Sequence, residues 1–290
     1  MRLNPFNTGN INVRSSGGGG GFPGGGGGKI GCGTIVLAAI GALVVGINPM
    51  QTIGVVESVQ QSTGGGGGAA ASTNEQEICT RGPYANEACN ALQSLNQTWA
   101  PEFQRANIAF EQPFLDLYTG SGVRSGCGNA PAAAGPFYCP ADNGIYINTA
   151  FYDQMDRQMG AGGDFARLYV LAHEYGHHIQ NLTGLAGQIR SAQAQNPRRS
   201  NELQVRMELQ ADCYAGVWAG KNRNLIEPGD MQEGLRAASA IGDDTLQRQA
   251  GQRVNPESFT HGTSQQRMDA LRRGLNSAND SVCDAYFENI

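Results

Sequence analysis

The sequence predicts a mainly helical α+β domain with a small β-sheet, preceded by one transmembrane helix. Three observations support this prediction. The 290-residue chain has half of its 42 glycines in the first 68 residues, so only the remainder has the composition of a globular domain. A charge-free apolar stretch lies within the glycine-rich part. The C-terminal part combines several helical patterns with two short strand patterns, which is typical of an α+β domain.

The first 72 residues divide into a tail, a candidate membrane helix and a linker. Residues 1–29 are predicted to be a disordered tail, because two runs of five glycines cannot bury enough apolar surface to offset the entropy of ordering. Residues 30–56 carry no charge and are long enough to cross a bilayer core of about 30 Å as one helix. A cleavable signal peptide is the alternative, but its apolar stretch usually begins nearer to the N-terminus. Residues 57–72 are predicted to be a glycine-rich linker.

Charge predicts the orientation of this helix and excludes one class of partner. Arg2, Arg14 and Lys29 precede the helix, whereas the next basic residue after it is Arg81, and basic residues favour the cytoplasmic side. We therefore expect a single-pass membrane protein that contacts lipid through this helix, with a cytoplasmic N-terminus and the domain of residues 73–290 outside the cytoplasm. Because the net charge is −5 and the basic excess lies in the tail, we expect no nucleic-acid partner.

Six cysteines follow the linker, and an even number in an oxidising compartment suggests disulfide bonds. Fifteen pairings are possible, and the sequence does not choose among them. The pairs that we favour are Cys127 with Cys139, Cys79 with Cys89, and Cys213 with Cys283. The sequence contains no C-x-x-C pair, which disfavours a thiolate zinc site.

The domain is predicted to contain five helices and two strands. The helices are expected near residues 86–108, 164–183, 200–221, 228–249 and 264–277, and the strand patterns FLDLYTG and GIYINTAF lie between the first two. The segment GIYIN comes shortly before the second helix. We interpret it as an edge strand to which a peptide adds as a further strand.

The predicted helix at 164–183 contains an H-E-x-x-H motif, formed by His173, Glu174 and His177. The two histidines lie one helical turn apart on one face, so both imidazoles can bind one metal ion, with Glu174 beside them as a general base. Gln180 and Thr183 stand where a longer version of the motif has a glycine and a third histidine, so that version is excluded. The alternative is a histidine pair satisfied by hydrogen bonds on a helix surface.

The predicted helix at 200–221 offers Glu208, with Asp212 one turn later on the same face. Acidic side chains in an otherwise apolar helix need partners if they are buried. We expect Glu208 to be the third metal ligand, and Asp212 to accept the free ring N–H of His173 or His177. The alternative is that both carboxylates are solvated on an exposed face.

The segments HEYGHHIQ and ELQADCYAGVWA resemble the gluzincin arrangement. Together with CGNAPAAAGPFYCPADNGIYI and THGTSQQR, they resemble the bacterial putative neutral zinc metallopeptidase family over residues 79–290. The resemblance implies a zincin-like metallopeptidase domain that cleaves peptide or protein substrates. It implies one Zn²⁺ per chain, held by His173, His177 and Glu208, with Glu174 as the catalytic base. It also implies that the membrane is the bacterial inner membrane, with the domain periplasmic or extracellular.

The expected reaction also needs a hydrogen-bond donor for the tetrahedral oxyanion besides the metal. His261 is the first candidate, followed by Tyr146 and Tyr214; for His261, a local hydrogen bond near the helix that starts at Ser264 is the alternative. Two other functions use the same residues, namely a non-catalytic zinc-stabilised scaffold or binding module, and hydrolysis of a non-peptide amide. An N/O ligand set also suits divalent ions other than zinc.

Overall fold

The computed structural model describes residues 1–3, 10–16 and 75–288. The predicted transmembrane helix at 30–56 and the linker at 57–72 lie outside these residues. Within the three described ranges, no helix has both the length and the apolar character needed to span a bilayer.

Helices form most of the chain after residue 75. They are α1 (Glu75–Cys79), α2 (Pro83–Arg105), α3 (Thr149–Met159), α4 (Asp164–Leu182), α5 (Leu185–Gln195), α6 (Ser200–Lys221), α7 (Asp230–Ala240), α8 (Asp243–Gln249) and α9 (Ser264–Ser277). A 3₁₀ segment, Asp280–Tyr286, follows α9. The architecture is α+β and mainly helical, as expected.

Two small sheets complete the fold. The strands are β1 (Asn12–Arg14), β2 (Phe114–Tyr118), β3 (Gly122–Ser125), β4 (Gly128–Pro131), β5 (Phe137–Cys139) and β6 (Gly144–Asn148). One sheet has the order β1-β2-β6-β5, in which only β5 runs antiparallel to its neighbour, and β3 pairs with β4 as an antiparallel hairpin.

The strand GIYIN is not an edge strand, so that prediction is wrong. It forms β6, which lies between β2 and β5 with all five of its residues buried. Its Leu-rich neighbour β2 aligns Leu115 with Ile145, and both side chains are fully buried. A strand paired on both sides has no free backbone groups for a substrate. Among the described residues, the outer strands of this sheet are β1 and β5.

The prediction of a disordered tail is wrong for residues 10–16. Residues Asn12–Arg14 form β1, which pairs in parallel with β2. Ile11 and Val13 are buried while Asn12 between them is exposed, as the period of two of a strand requires. The tail therefore contributes a strand to the domain.

The helix predicted at 228–249 is two helices, α7 and α8, with Ile241 and Gly242 between them. A Cβ atom on Gly242 would lie within 2.6 Å of the backbone of Ser264, so the chain bends where it meets the start of α9. The helices predicted at 164–183, 200–221 and 264–277 agree with α4, α6 and α9, whereas α3 and α5 are not predicted.

The core of the domain places α6 between α4 and α9, while α4 also packs against α2 and α7. Three disulfide bonds brace this arrangement. They join Cys79 with Cys89, Cys127 with Cys139, and Cys213 with Cys283, which are the favoured pairs. The last one ties α6 to the 3₁₀ segment after α9.

Candidate metal centre

The helices α4 and α6 approach each other closely at Gly176, within the sequence HEYGHH. A Cβ atom on Gly176 would lie 2.8 Å from Cα of Ala211 on α6. Any larger residue would therefore push the two helices apart. The glycine allows the histidines of α4 and the acidic residues of α6 to share one buried site.

His173, His177 and Glu208 converge at this site, with ligand atoms that all lie within 4.8 Å of one another. Nε2 of His173 is 3.1 Å from Oε2 of Glu208, and Nε2 of His177 is 3.6 Å from the same oxygen. All three side chains are buried. Two imidazole nitrogens and one carboxylate form the donor set of a catalytic zinc site that keeps a position open. These residues fit a zinc ion.

The second nitrogen of each histidine is held by a further side chain. Nδ1 of His173 is 2.7 Å from Asp212, and Nδ1 of His177 is 2.9 Å from Oε1 of Gln180. Both Nε2 atoms are thereby oriented toward Glu208. Asp212 was expected at one of the two histidines. The contact of Gln180 with His177 is not predicted from the sequence, although its position three residues after His177, on the same helix face, is the signal that indicates it.

Gln180 is itself fixed by α6, because its amide donates to the backbone oxygen of Met207 and to Oε1 of Gln210, at 2.8 and 2.9 Å. Glu208 is fixed in the same way, since Gln204 donates to its Oε1 at 2.9 Å. The two helices that form the site thus hold every ligand side chain in place and leave only its metal-facing atom free.

Arg267 of α9 holds Asp212 from the other side. Its guanidinium donates to both carboxylate oxygens, and Tyr169 of α4 donates to Oδ1 at 2.5 Å. Arg267 and Asp212 are buried, so the ion pair replaces the solvation that both charges lose. Arg267 lies in the sequence THGTSQQR, but the sequence does not show its contact with Asp212.

The charges of the site follow from these contacts. Burial lowers the pKa of His173, but the charge of Asp212 and hydrogen bonds to Asp212 and Glu208 outweigh it and raise the value to about 10. Burial raises the pKa of Asp212, and Arg267 and His173 overcome this and lower it to about 2.

Glu174 lies beside the ligands but does not belong to their set. Its side chain is buried, and among the described residues it has charge interactions with His173 and His177 but no hydrogen bond to its carboxylate. Burial raises the pKa of Glu174 above its ordinary value, although the charges of His173 and His177 oppose this. A carboxylate with a raised pKa and no structural partner is suited to accept and return a proton.

His261 reaches the same site from the segment before α9. Its Nδ1 is 3.1 Å from Oδ1 of Asp243, and the Asp243 carboxylate also accepts the backbone N–H of His261 at 2.6 Å. Nε2 of His261 is buried with no hydrogen-bond partner among the described residues. Burial raises the pKa of Glu208, but the charge of His177, hydrogen bonds to His173 and His177 and, last, the charge of His261 lower it well below its ordinary value. Asp243 was not predicted from the sequence.

The other oxyanion candidates are engaged elsewhere. Tyr146 donates to Asp142 at 2.5 Å and accepts from Arg14 at 2.6 Å, and the ring of Tyr214 packs edge-on against Trp99. The helix that begins at Ser264 is capped by Thr263 rather than by His261. Nδ1 of His261 also lies 3.1 Å from Oγ1 of the adjacent Thr260, so the local hydrogen bond given as the alternative is present beside the contact with Asp243.

A small pocket opens next to His177. Besides this ligand, it is lined by Tyr138, Pro140, Asn181, Ala186, Arg190 and Met207. Tyr138 comes from the outer strand β5, and Arg190 from α5 is exposed.

Comparisons with known proteins agree with this site. The family model described as Putative neutral zinc metallopeptidase matches residues 4–286. The Uncharacterized protein YpfJ of Escherichia coli K12 is 44% identical over 226 residues, which cover 75% of this chain and 78% of that protein. The Uncharacterized protein Mb2605 of Mycobacterium bovis is 39% identical over 226 residues, covering 72% and 74% of the two chains. No solved structure matches this chain.

Proposed function

Because the chain belongs to the putative neutral zinc metallopeptidase family, we propose that it is a zinc-dependent endopeptidase that hydrolyses peptide bonds in protein or peptide substrates. One observation supports this proposal most strongly. His173, His177 and Glu208 form a buried three-ligand set, and Glu174 lies next to it with no structural partner among the described residues. A purely structural zinc site usually has four protein ligands and needs no base beside them.

His173, His177 and Glu208 would hold one Zn²⁺. The ion would polarise the scissile carbonyl and lower the pKa of a water molecule toward about 7. Glu174 takes the proton of the attacking water and delivers it to the departing amine. Its buried position excludes bulk water from this transfer and keeps its pKa raised.

His261 is proposed to donate a hydrogen bond from Nε2 to the oxyanion. The Asp243 carboxylate lies 3.1 Å from Nδ1, so it fixes the ring and leaves Nε2 free to face the oxyanion. Burial raises the pKa of Asp243, but His261 and the backbone N–H of Thr260 lower it, and the net shift is downward. Asp243 therefore stays negative beside the ring.

We further propose that the domain works outside the cytoplasm. The three disulfide bonds support this location, because such bonds persist in oxidising compartments. Contact of residues 30–56 with the membrane stays a prediction from the sequence.

The test compares the full chain with a Glu174→Gln variant and a Glu202→Gln control, in which an exposed carboxylate of α6 is changed. Zinc content and cleavage of casein and of a mixed peptide library are measured. We expect one zinc per chain in all three proteins and a loss of cleavage of at least about 100-fold in Glu174→Gln alone.

Two results would contradict the proposal. Unchanged cleavage in Glu174→Gln would show that Glu174 is not the catalytic base. A parent that holds zinc but cleaves no peptide would favour the zinc-stabilised scaffold, and cleavage of peptidoglycan fragments instead would favour a non-peptide amide as the substrate.

A further inference from the structure

The N-terminal residues pack into the same core as the helix that carries the zinc motif. The side chains of Met1, Ile11 and Val13 are 4%, 0% and 5% exposed. They belong to one apolar cluster with Leu168 and Leu171 of α4. Burial of these three apolar side chains favours attachment of the N-terminal residues to the domain.

Polar contacts fix the first residues in one position. The Met1 ammonium lies 2.9 Å from Asp164, the first residue of α4, and 2.8 Å from Asp230, the first residue of α7. The backbone N–H of Arg2 donates to the backbone oxygen of Leu225 at 2.7 Å, and the Arg2 side chain pairs with Glu227.

Asp116 of β2 shows that the domain needs residues 10–16. Its side chain is 1% exposed, and its described partners are Arg14 Nε at 3.0 Å, Ser16 N at 3.0 Å and Ser16 Oγ at 2.7 Å. All of them belong to the N-terminal segment. Residues 10–16 thus cover this carboxylate and supply the hydrogen bonds that it receives.

These contacts conflict with a single crossing of the membrane between residues 16 and 75. A segment that crosses once places the parts before and after it on opposite sides, and these two parts form one core. The charge-free stretch of 27 residues is too short to cross twice, since each crossing needs about 20 residues. The basis for a cytoplasmic N-terminus is also weaker, because Arg2 and Arg14 pair with Glu227 and Asp116.

We propose that residues 1–3 and 10–16 dock on the domain, the latter through β1, and lie on the same side of the membrane as the zinc site. This topology replaces the expected single-pass arrangement. It does not depend on whether the domain cleaves peptides.

The test uses the full chain in bacterial membranes, with one specific protease site inserted in the glycine run 24–28 and another in the run 64–68. Membrane vesicles of both orientations are treated with the protease. We expect both sites to be cut in vesicles of the same orientation. Cutting of the two sites in vesicles of opposite orientation would overturn the proposal.

A second readout follows the N-terminal fragment after both cuts. We expect it to elute with the domain under native conditions. In Arg14→Asp, which places a like charge beside buried Asp116, we expect the fragment to separate, whereas the exposed-residue control Arg124→Asp retains it. Separation of the unsubstituted fragment, or equal retention in all three proteins, would overturn docking through β1.

Discussion

The guanidinium of Arg267 donates two hydrogen bonds to Asp212, from Nε to Oδ2 at 2.8 Å and from Nη2 to Oδ1 at 2.9 Å. Asp212 in turn contacts Nδ1 of His173 at 2.7 Å. Through this chain of contacts, α9 controls the orientation of a metal ligand on α4. The zinc site therefore depends on three helices, although two of them supply its ligands.

Replacement of Arg267 is expected to weaken zinc binding. Arg267→Lys keeps the positive charge but loses the two parallel hydrogen bonds, so Asp212 orients His173 less firmly and zinc affinity falls about 10- to 100-fold. Competition with a chromogenic chelator measures this affinity. The control is Arg272→Lys, at an exposed arginine of the same helix. Equal zinc affinity in Arg267→Lys and the parent would show that the ion pair does not support the site.

Gly176→Ala is expected to destabilise the domain and weaken zinc binding, because its Cβ would press against Ala211 and separate α4 from α6. Overpacking of this kind costs about 1–3 kcal/mol. The control is Gly187→Ala in α5, whose Cβ would meet no atom within 4 Å and should stabilise the helix by up to about 1 kcal/mol. Urea unfolding in the presence of zinc measures both effects. The close approach would be refuted by a Gly176→Ala variant as stable as the parent.

His261→Asn is expected to lower kcat for peptide cleavage about 100- to 1000-fold while zinc content stays at one per chain, because the side chain acts on the oxyanion and not on the metal. Asp243→Asn should also lower kcat, because the His261 ring is then oriented less firmly. Asp244→Asn, at the neighbouring carboxylate that contacts Ser264, is the control. Loss of zinc from His261→Asn would instead indicate that His261 is a fourth zinc ligand.

His178 predicts a pH dependence of stability. Burial lowers its pKa from 6.5 to about 4, although the contact with the backbone oxygen of Glu111 opposes this. Because the folded-state pKa is depressed, the unfolded chain binds more protons between these values. Stability is thus fully present above pH 6.5 and is lost as the pH falls toward 4.

The variant His178→Gln should lack this pH dependence of stability. Between pH 7 and pH 5, we expect the parent to lose about 2 kcal/mol more of its free energy of unfolding than His178→Gln does. Urea unfolding at the two pH values, with zinc in excess, measures the difference. Parallel losses in both proteins would mean that His178 does not titrate in this range.

The pairs of site residues that lie within one helix can be predicted from the sequence, because helical spacing alone determines which side chains share a face. His173 and His177 must share a face if residues 164–183 are helical, and Glu208 and Asp212 repeat the same spacing on α6. The periodicity of these two helices is strong, and their observed bounds agree with the expected ones. Local spacing, however, does not show which side chains support the ligands.

The remaining features depend on contacts between distant parts of the chain. Arg267 and Asp243 enter the site only because α9 packs on α6 and because the chain bends at Gly242. The position of β6 between two strands depends on β5, a three-residue strand that was not predicted from the sequence. The alternation of apolar Ile11, polar Asn12 and apolar Val13 is a strand pattern in the sequence. Three residues beside a glycine run are, however, too few to predict a strand on their own.

The central claim, a zinc site formed by His173, His177 and Glu208, is tested most directly by the metal content of Glu208→Ala. The full chain is purified without chelator, and zinc per chain is measured by mass spectrometry for the parent, Glu208→Ala and the exposed-residue control Glu202→Ala. We predict one zinc per chain in the parent and the control, and its loss in a folded Glu208→Ala. A folded parent without metal, or a Glu208→Ala variant that keeps one zinc, would contradict the site.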